Sequence, residues 1–112
     1  MRNEDLVILN KMLEEICYLQ ETTSEIKSFE NFVSNEDKKR AVAMAFLNIG
    51  ELANHLSVEF RESQKEIPFN EIRATRNNAA HGYFGLRFDF IWKTIHEDIP
   101  ILKKQIKRVL GL

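Results

Sequence analysis

The sequence predicts an all-α protein, an antiparallel bundle of four to five helices. Apolar residues recur three and four positions apart in most of the chain, and no segment alternates as a half-buried strand would. Only four glycines and two prolines interrupt the 112 residues. With 44% apolar and 29% charged residues, the composition suits one folded domain over residues 1–112, around one hydrophobic core.

The first helix is predicted by five aliphatic side chains that fall on one helical face. They are Leu6, Leu9, Leu13, Ile16 and Leu19. The segment from Thr22 to Val33 also has helical spacing, at Ile26 and Phe29, but it is short and polar. It is therefore only a possible extension of this helix.

A second long helix is expected to begin at the run Ser34-Asn35-Glu36-Asp37, which has the character of an N-cap followed by an acidic first turn. Its apolar seam continues in steps of four and three, which predicts a helix running to about Arg61. The seam comprises Val42, Phe46, Ile49, Ala53, Leu56 and Phe60.

Pro68 predicts the start of a third helix, because proline is tolerated in a first turn. Gly82 is expected to end that helix in a left-handed cap. A fourth helix should begin near Asp89 and run almost to the C-terminus. Pro100 interrupts it, which predicts either a kink or a restart capped by Asp98.

Composition also narrows the functional classes. Cys17 is the single cysteine and cannot form an internal disulfide, so a buried thiol is expected. No signal peptide and no long apolar run is apparent, which favours a cytoplasmic protein. Residues 1–60 hold 6 basic against 11 acidic side chains, whereas residues 61–112 hold 10 against 6. A weak positive bias in the second half could guide RNA by salt-sensitive attraction.

The most informative motif is Arg76-Asn77-Asn78-Ala79-Ala80-His81-Gly82-Tyr83. An arginine fork matches phosphate oxygens, and a histidine can exchange a proton at neutral pH. Arg76 and His81 are five residues and roughly 140° apart on an ideal helix. They could converge by unwinding of the helix end, by the reach of arginine, or through a second chain. Asn77, four residues before His81, is expected to orient the imidazole or to bind RNA.

Written as R-x-x-x-x-H-x-Y, this motif resembles the signature of the HepT-like branch of the HEPN superfamily. Further short segments extend the resemblance over about residues 40–112. They are Ile49-Gly50-Glu51-Leu52-Ala53, Ile67-Pro68-Phe69, Gly82-Tyr83-Phe84 and Ile91-Trp92-Lys93-Thr94-Ile95. The resemblance implies a HEPN-like helical fold and a homodimeric, metal-independent endoribonuclease without a cofactor, in which Arg76 and His81 are catalytic.

The same resemblance implies that the chain is the toxin of a type VII HEPN/MNT toxin-antitoxin pair. Its partner would be a minimal nucleotidyltransferase antitoxin that uses ATP to adenylylate Tyr83 and so silences the toxin. The phosphate-linked AMP would add negative charge and bulk where an RNA phosphate must bind.

Other interpretations of these residues remain open. His81 could only stabilise a helix C-terminus, Arg76 could form a structural salt bridge, and Tyr83 could be a packing residue. Phe84 and Phe88 could stack on a base or fill a core. His55 and His96 lack metal-ligand spacing, so no metal site is expected. The alternative function is a non-catalytic helical subunit that binds substrate or acts as a scaffold in a nucleotidyltransferase complex.

Overall fold

The computed structural model describes residues 1–112 and contains seven α-helices and no strand. The predicted all-α fold is confirmed. The helices are α1 (Asn3–Thr23), α2 (Phe29–Val33), α3 (Glu36–His55), α4 (Val58–Ser63), α5 (Phe69–Ala80), α6 (Phe88–Glu97) and α7 (Ile99–Leu110), with a 3₁₀ turn at Tyr83–Gly85. None of the seven helices combines the length and the apolar character that a membrane-spanning helix requires.

The segment after the first helix forms a separate short helix rather than an extension. The side chain of Ser28 accepts a hydrogen bond from the backbone N–H of Asn31 and so caps α2. The predicted start of the second long helix is confirmed, because the Asn35 side chain accepts a hydrogen bond from the N–H of Lys38 at 3.1 Å. The caps at Ser28 and Asn35 therefore start two separate helices, α2 and α3, in this part of the chain.

The prediction that the second long helix runs to about Arg61 is wrong. Helix α3 ends at His55, Leu56 is extended, and α4 begins at Val58. Ser57 causes the break, because its hydroxyl accepts from the N–H of Phe60 and also donates to the carboxylate of Asp5 at 2.7 Å. The apolar spacing continues across the break with Leu56 buried, so periodicity could not reveal it.

Helices α1 and α3 pack antiparallel. Asp5 at the start of α1 bonds Ser57 just beyond α3, while Glu15 accepts a hydrogen bond from Asn48 further back along α3. Helix α7 also packs against α1, where Lys103 donates to Gln20 at 3.0 Å. Nineteen buried apolar residues from all these elements form one contiguous core.

The later helices follow the prolines as expected, with two differences in detail. Helix α5 begins directly after Pro68, and α7 restarts with Pro100 in its first turn, although the Asp98 side chain makes no capping hydrogen bond. Gly82 has φ +134° and ψ +140°, a positive φ but not the left-handed helical conformation that was predicted. Helix α5 instead ends through backbone bonds from His81, and Gly82, with its positive φ, turns the chain away.

Candidate active site

Arg76 lies where α5 approaches α3 most closely. A Cβ atom built at Gly50 of α3 would lie 2.0 Å from the Cβ and 2.7 Å from the Cγ of Arg76. Real Cβ contacts are never so short, so only glycine at this position allows the two helices to pack in this way. Gly50 therefore sets where the backbone of Arg76 sits against α3.

The guanidinium of Arg76 is held by its neighbours on both helices. Its Nε and Nη2 pair with the carboxylate of Glu51, and its Nη1 donates to the side-chain oxygen of Asn77 at 3.0 Å. A guanidinium carries five N–H donors. This arrangement leaves one hydrogen on each terminal nitrogen, which form a fork able to bind two oxygens of a phosphate.

His81 lies just past the end of α5 and is exposed to solvent. Its side chain lines an open cleft of about 320 Å³ together with Arg87 and Phe90. Arg76 does not line this cleft. Within one chain, the structure therefore does not bring Arg76 and His81 into a shared opening.

Asn77 contacts a different partner from the one expected. Its side chain accepts from Arg76, and only its backbone carbonyl accepts from the backbone N–H of His81 at 3.2 Å. No hydrogen bond joins the Asn77 amide to the imidazole. The side chain of Asn77 thus helps to fix the guanidinium rather than the histidine, because residue 77 lies next to Arg76 at the exposed side of α5.

Tyr83 lies against the first turn of α3. Its hydroxyl donates to Glu36 at 3.0 Å, and the guanidinium carbon of Arg40 is 4.4 Å from its ring centroid. Burial, reinforced by the bond to Glu36, raises the pKa of the Tyr83 phenol. Hydrogen bonds from Lys39 and then from Tyr83 lower the pKa of Glu36. The phenol is consequently neutral at pH 7 and donates to an ionised carboxylate.

Three residues at this site were not singled out as functional from the sequence. Glu51 holds Arg76, Glu36 holds Tyr83, and Arg87 shares the cleft of His81. Only Glu51 could have been noticed in the sequence, because it follows Gly50 in one of the short segments that extend the family resemblance. Arg87 pairs with Asp89 at 2.8 Å, and nothing in their spacing distinguishes them from an ordinary surface ion pair.

Comparison with known proteins identifies the family to which the chain belongs. The model of the family described as Ribonuclease HepT-like matches residues 12–109. The chain belongs to this HepT-like family. The family resemblance and the HEPN-like helical fold expected from the motif are therefore confirmed, and the ribonuclease family places the chain among enzymes.

Curated relatives within the HepT-like family cover most of the chain. A protein of Caldanaerobacter subterraneus subsp. tengcongensis named "Putative RNase" is 39% identical, over 91% of this chain and 90% of its own length. A "Probable ribonuclease HepT" of Thermococcus cleftensis is 35% identical, over 90% of this chain and 91% of its own. A "Putative RNase" of Methanocaldococcus jannaschii is 33% identical, over 90% and 92%. No solved structure matches the chain significantly.

Proposed function

We propose that this chain is a toxin endoribonuclease that cleaves RNA without a metal ion, with Arg76 and His81 as catalytic residues. The observation that carries the proposal is an exposed histidine lining an open cleft at the end of α5, in a chain of a ribonuclease family. The oriented guanidinium of Arg76, with two free donors, supports the same assignment.

The proposed reaction uses the neighbouring 2′-hydroxyl of the RNA as the nucleophile. A base removes the hydroxyl proton, the 2′-oxygen bonds to phosphorus, and the bond from phosphorus to the 5′-oxygen breaks as that oxygen takes up a proton. The products are a 2′,3′-cyclic phosphate end and a 5′-hydroxyl end. His81 transfers protons, and Arg76 stabilises the negative charge that develops on the phosphate oxygens.

A homodimer would bring the separated groups together. Arg76 lies outside the cleft of His81 in its own chain, so in this proposal the partner chain supplies the opposing group. Two apolar side chains stand exposed around the cleft, since Phe84 is 92% and Phe90 is 57% accessible to solvent. Large exposed apolar side chains beside a cleft are typical of a surface that another chain covers.

Tyr83 is the proposed site of adenylylation by a cognate minimal nucleotidyltransferase that binds the ATP. The hydroxyl lies at the protein surface within 3.0 Å of Glu36, whose carboxylate can accept the phenolic proton as the oxygen bonds to the α-phosphorus and pyrophosphate departs. The AMP group would then block RNA at this surface by its bulk and negative charge.

The first test is RNA cleavage in EDTA by unmodified protein, with mapping of the product ends. We expect cyclic phosphate ends, and a loss on the order of 10²- to 10⁴-fold in rate for His81→Ala and for Arg76→Ala. His96→Ala, which removes an exposed histidine bonded only to the carbonyl of Trp92, is the matched control. Equal cleavage by the wild type and both variants would remove the assigned catalytic residues.

The second test distinguishes a shared site from a site within one chain. Inactive Arg76→Ala and His81→Ala proteins are mixed, unfolded and refolded together. If each site takes its arginine and histidine from different chains, activity returns to about a quarter of the wild-type level, because about half of the dimers are mixed and each holds one intact site. A mixture as inactive as its components would contradict the shared site.

The third test uses intact mass. Incubation with ATP and a cognate minimal nucleotidyltransferase is expected to add AMP units to the wild type and none to Tyr83→Phe. Tyr18→Phe, which removes another exposed tyrosine on α1, should be modified like the wild type. An unchanged wild-type mass would reject adenylylation and leave the ribonuclease assignment intact.

A further inference from the structure

Two basic side chains from the first turns of α3 lie over two aromatic side chains, one at the end of the motif and one beyond it. The ammonium of Lys39 is 4.8 Å from the ring centroid of Phe88 and 5.8 Å from that of Tyr83. The guanidinium of Arg40 is 4.4 Å from the Tyr83 ring. Neither residue belongs to the motif, and neither was a candidate from the sequence.

Glu36 ties this cluster together, since its carboxylate pairs with Lys39 at 3.0 Å and with Arg40 at 3.3 Å and accepts the Tyr83 hydroxyl. Two cations face one carboxylate and a neutral phenol, so the cluster carries a net charge of +1. A phosphodiester carries a single negative charge. The cluster therefore has the charge that one backbone phosphate would neutralise.

Arg40 has free donors to offer a ligand. Its Nε lies 3.3 Å from a carboxylate oxygen of Glu36, and neither of its terminal nitrogens donates a hydrogen bond within the chain. The side chain is 58% accessible to solvent, and the neighbouring ring of Tyr83 supports one side of the guanidinium plane. The guanidinium is consequently held in place while the N–H groups of its terminal nitrogens remain available to phosphate oxygens.

The cluster is displaced from Arg76 along the same helix. Arg40 precedes Glu51, the residue that holds Arg76, by eleven positions on α3, which corresponds to about 16 Å along the axis at 1.5 Å per residue. The motif runs antiparallel to α3, with Arg76 opposite one half of that helix and Tyr83 opposite the other. An RNA strand lying along α3 from Arg40 toward Arg76 would place one phosphate at each of these two positions.

We propose that Arg40, positioned by Glu36 beside Tyr83 and supported by the charge of the largely covered Lys39, forms a second phosphate-binding position that holds an RNA phosphodiester outside the one being cleaved. This inference rests on the proposed ribonuclease function. The second phosphate-binding position binds and aligns the RNA strand, and no bond is made or broken there. An AMP group on Tyr83 would occupy the same position, which adds a specific point of competition to the proposed silencing.

The test measures initial rates of cleavage of a single-stranded RNA in EDTA over a range of RNA and salt concentrations. Arg40→Ala should raise KM roughly three- to tenfold with kcat within about twofold of the wild type. The slope of log kcat/KM against log salt should become less steep by about 0.7, which corresponds to one lost single-strand phosphate contact. Arg40→Lys should keep most of the slope.

Two further variants keep the test decisive. Arg108→Ala is the matched control, because Arg108 is an exposed arginine of α7 in an ion pair with Glu66, and it should behave as the wild type. Lys39→Met removes the ammonium but keeps an unbranched side chain over Phe88, so a shift like that of Arg40→Ala is expected without a large change in melting temperature.

Three outcomes would overturn the inference. If the wild type cleaves RNA and Arg40→Ala matches Arg108→Ala in KM and salt slope, the second position is wrong and the ribonuclease stands. If Arg40→Ala lowers kcat and the melting temperature while the salt slope is unchanged, the cluster is structural. If the wild type neither binds nor cleaves RNA, the proposed function fails and this inference fails with it.

Discussion

At the scale of single residues, the site depends on acidic partners more than the motif suggests. Glu51 holds the guanidinium of Arg76, and Glu36 holds the hydroxyl of Tyr83. Both carboxylates come from α3, whereas both motif residues follow Pro68. The residues of the motif were identifiable from the sequence, but the side chains that orient them lie 25 and 47 positions away and became apparent only in the folded chain.

Glu51→Gln tests whether orientation of Arg76 matters for activity. The ion pair is one-third to two-fifths exposed, so its loss should cost less than about 1 kcal/mol of stability. Misplacing the guanidinium should nevertheless lower kcat/KM by about tenfold to a hundredfold. Glu66→Gln, which removes the exposed partner of Arg108, is the control. Glu51→Gln with full cleavage activity would show that Arg76 needs no carboxylate.

At the scale of helices, sequence patterns located the long elements well and failed where the core continues through a break. The starts at Asn35 and Pro68 and the restart at Pro100 were predictable because caps and prolines act locally. The end of α3 was not, since Leu56 and Phe60 remain buried on the same seam. The break depends on Asp5, which lies 52 positions before Ser57 in sequence.

The short helix α2 is held by one buried ring, and Phe32→Ala tests its contribution. Phe32 is fully buried, stacks on Trp92 at 5.1 Å and meets Phe88 edge-on at 6.1 Å. Truncation of a fully buried phenylalanine costs about 3 to 5 kcal/mol. We expect a loss of this size in urea unfolding with an unchanged m-value.

Val33→Ala provides the comparison within α2, because Val33 is exposed and its truncation should change stability by less than about 0.5 kcal/mol. Phe88 also lies against Tyr83 at 5.3 Å. Loss of Phe32 should therefore also weaken the packing of Phe88 against Tyr83. Equal stability of the two variants would mean that α2 contributes little to the fold.

At the scale of the whole molecule, long-range polar contacts fix how the antiparallel helices meet. Asp5 is buried and accepts two hydrogen bonds from Ser57, one from the backbone N–H at 2.8 Å and one from the hydroxyl at 2.7 Å. Burial by itself raises the pKa of this carboxyl, but the two Ser57 bonds and the charge of Arg2 outweigh it, so the pKa lies below the ordinary value of 3.8.

This shift predicts a pH-dependent contribution to stability. Because the folded-state pKa is lowered, the stabilisation is fully present above pH about 4 and is lost as the pH falls through the folded value. We expect Asp5→Asn to lower the free energy of unfolding by about 1.5 to 3 kcal/mol at pH 7. The difference from the wild type should shrink steadily below pH 4, as measured by urea unfolding.

Asp37→Asn is the control, since Asp37 is an exposed carboxylate on the first turn of α3. It should lower the free energy of unfolding by less than about 1 kcal/mol at pH 7, the size of a helix-dipole effect. A gap between the wild type and Asp5→Asn that stays constant from pH 7 to pH 3 would contradict the assigned role of ionised Asp5.

The contact between Gly50 and Arg76 predicts that codon 50 is constrained by folding, whereas the neighbouring codon 51 is constrained by activity. In a saturation library sorted only for intact protein, codon 50 should retain glycine almost alone, because any larger side chain pushes two helices apart. Codon 51 should tolerate many replacements in that sort, as its side chain is partly exposed. Sorting the same library for RNA cleavage should then restrict codon 51 as well, so that codon 50 reports folding and codon 51 reports chemistry.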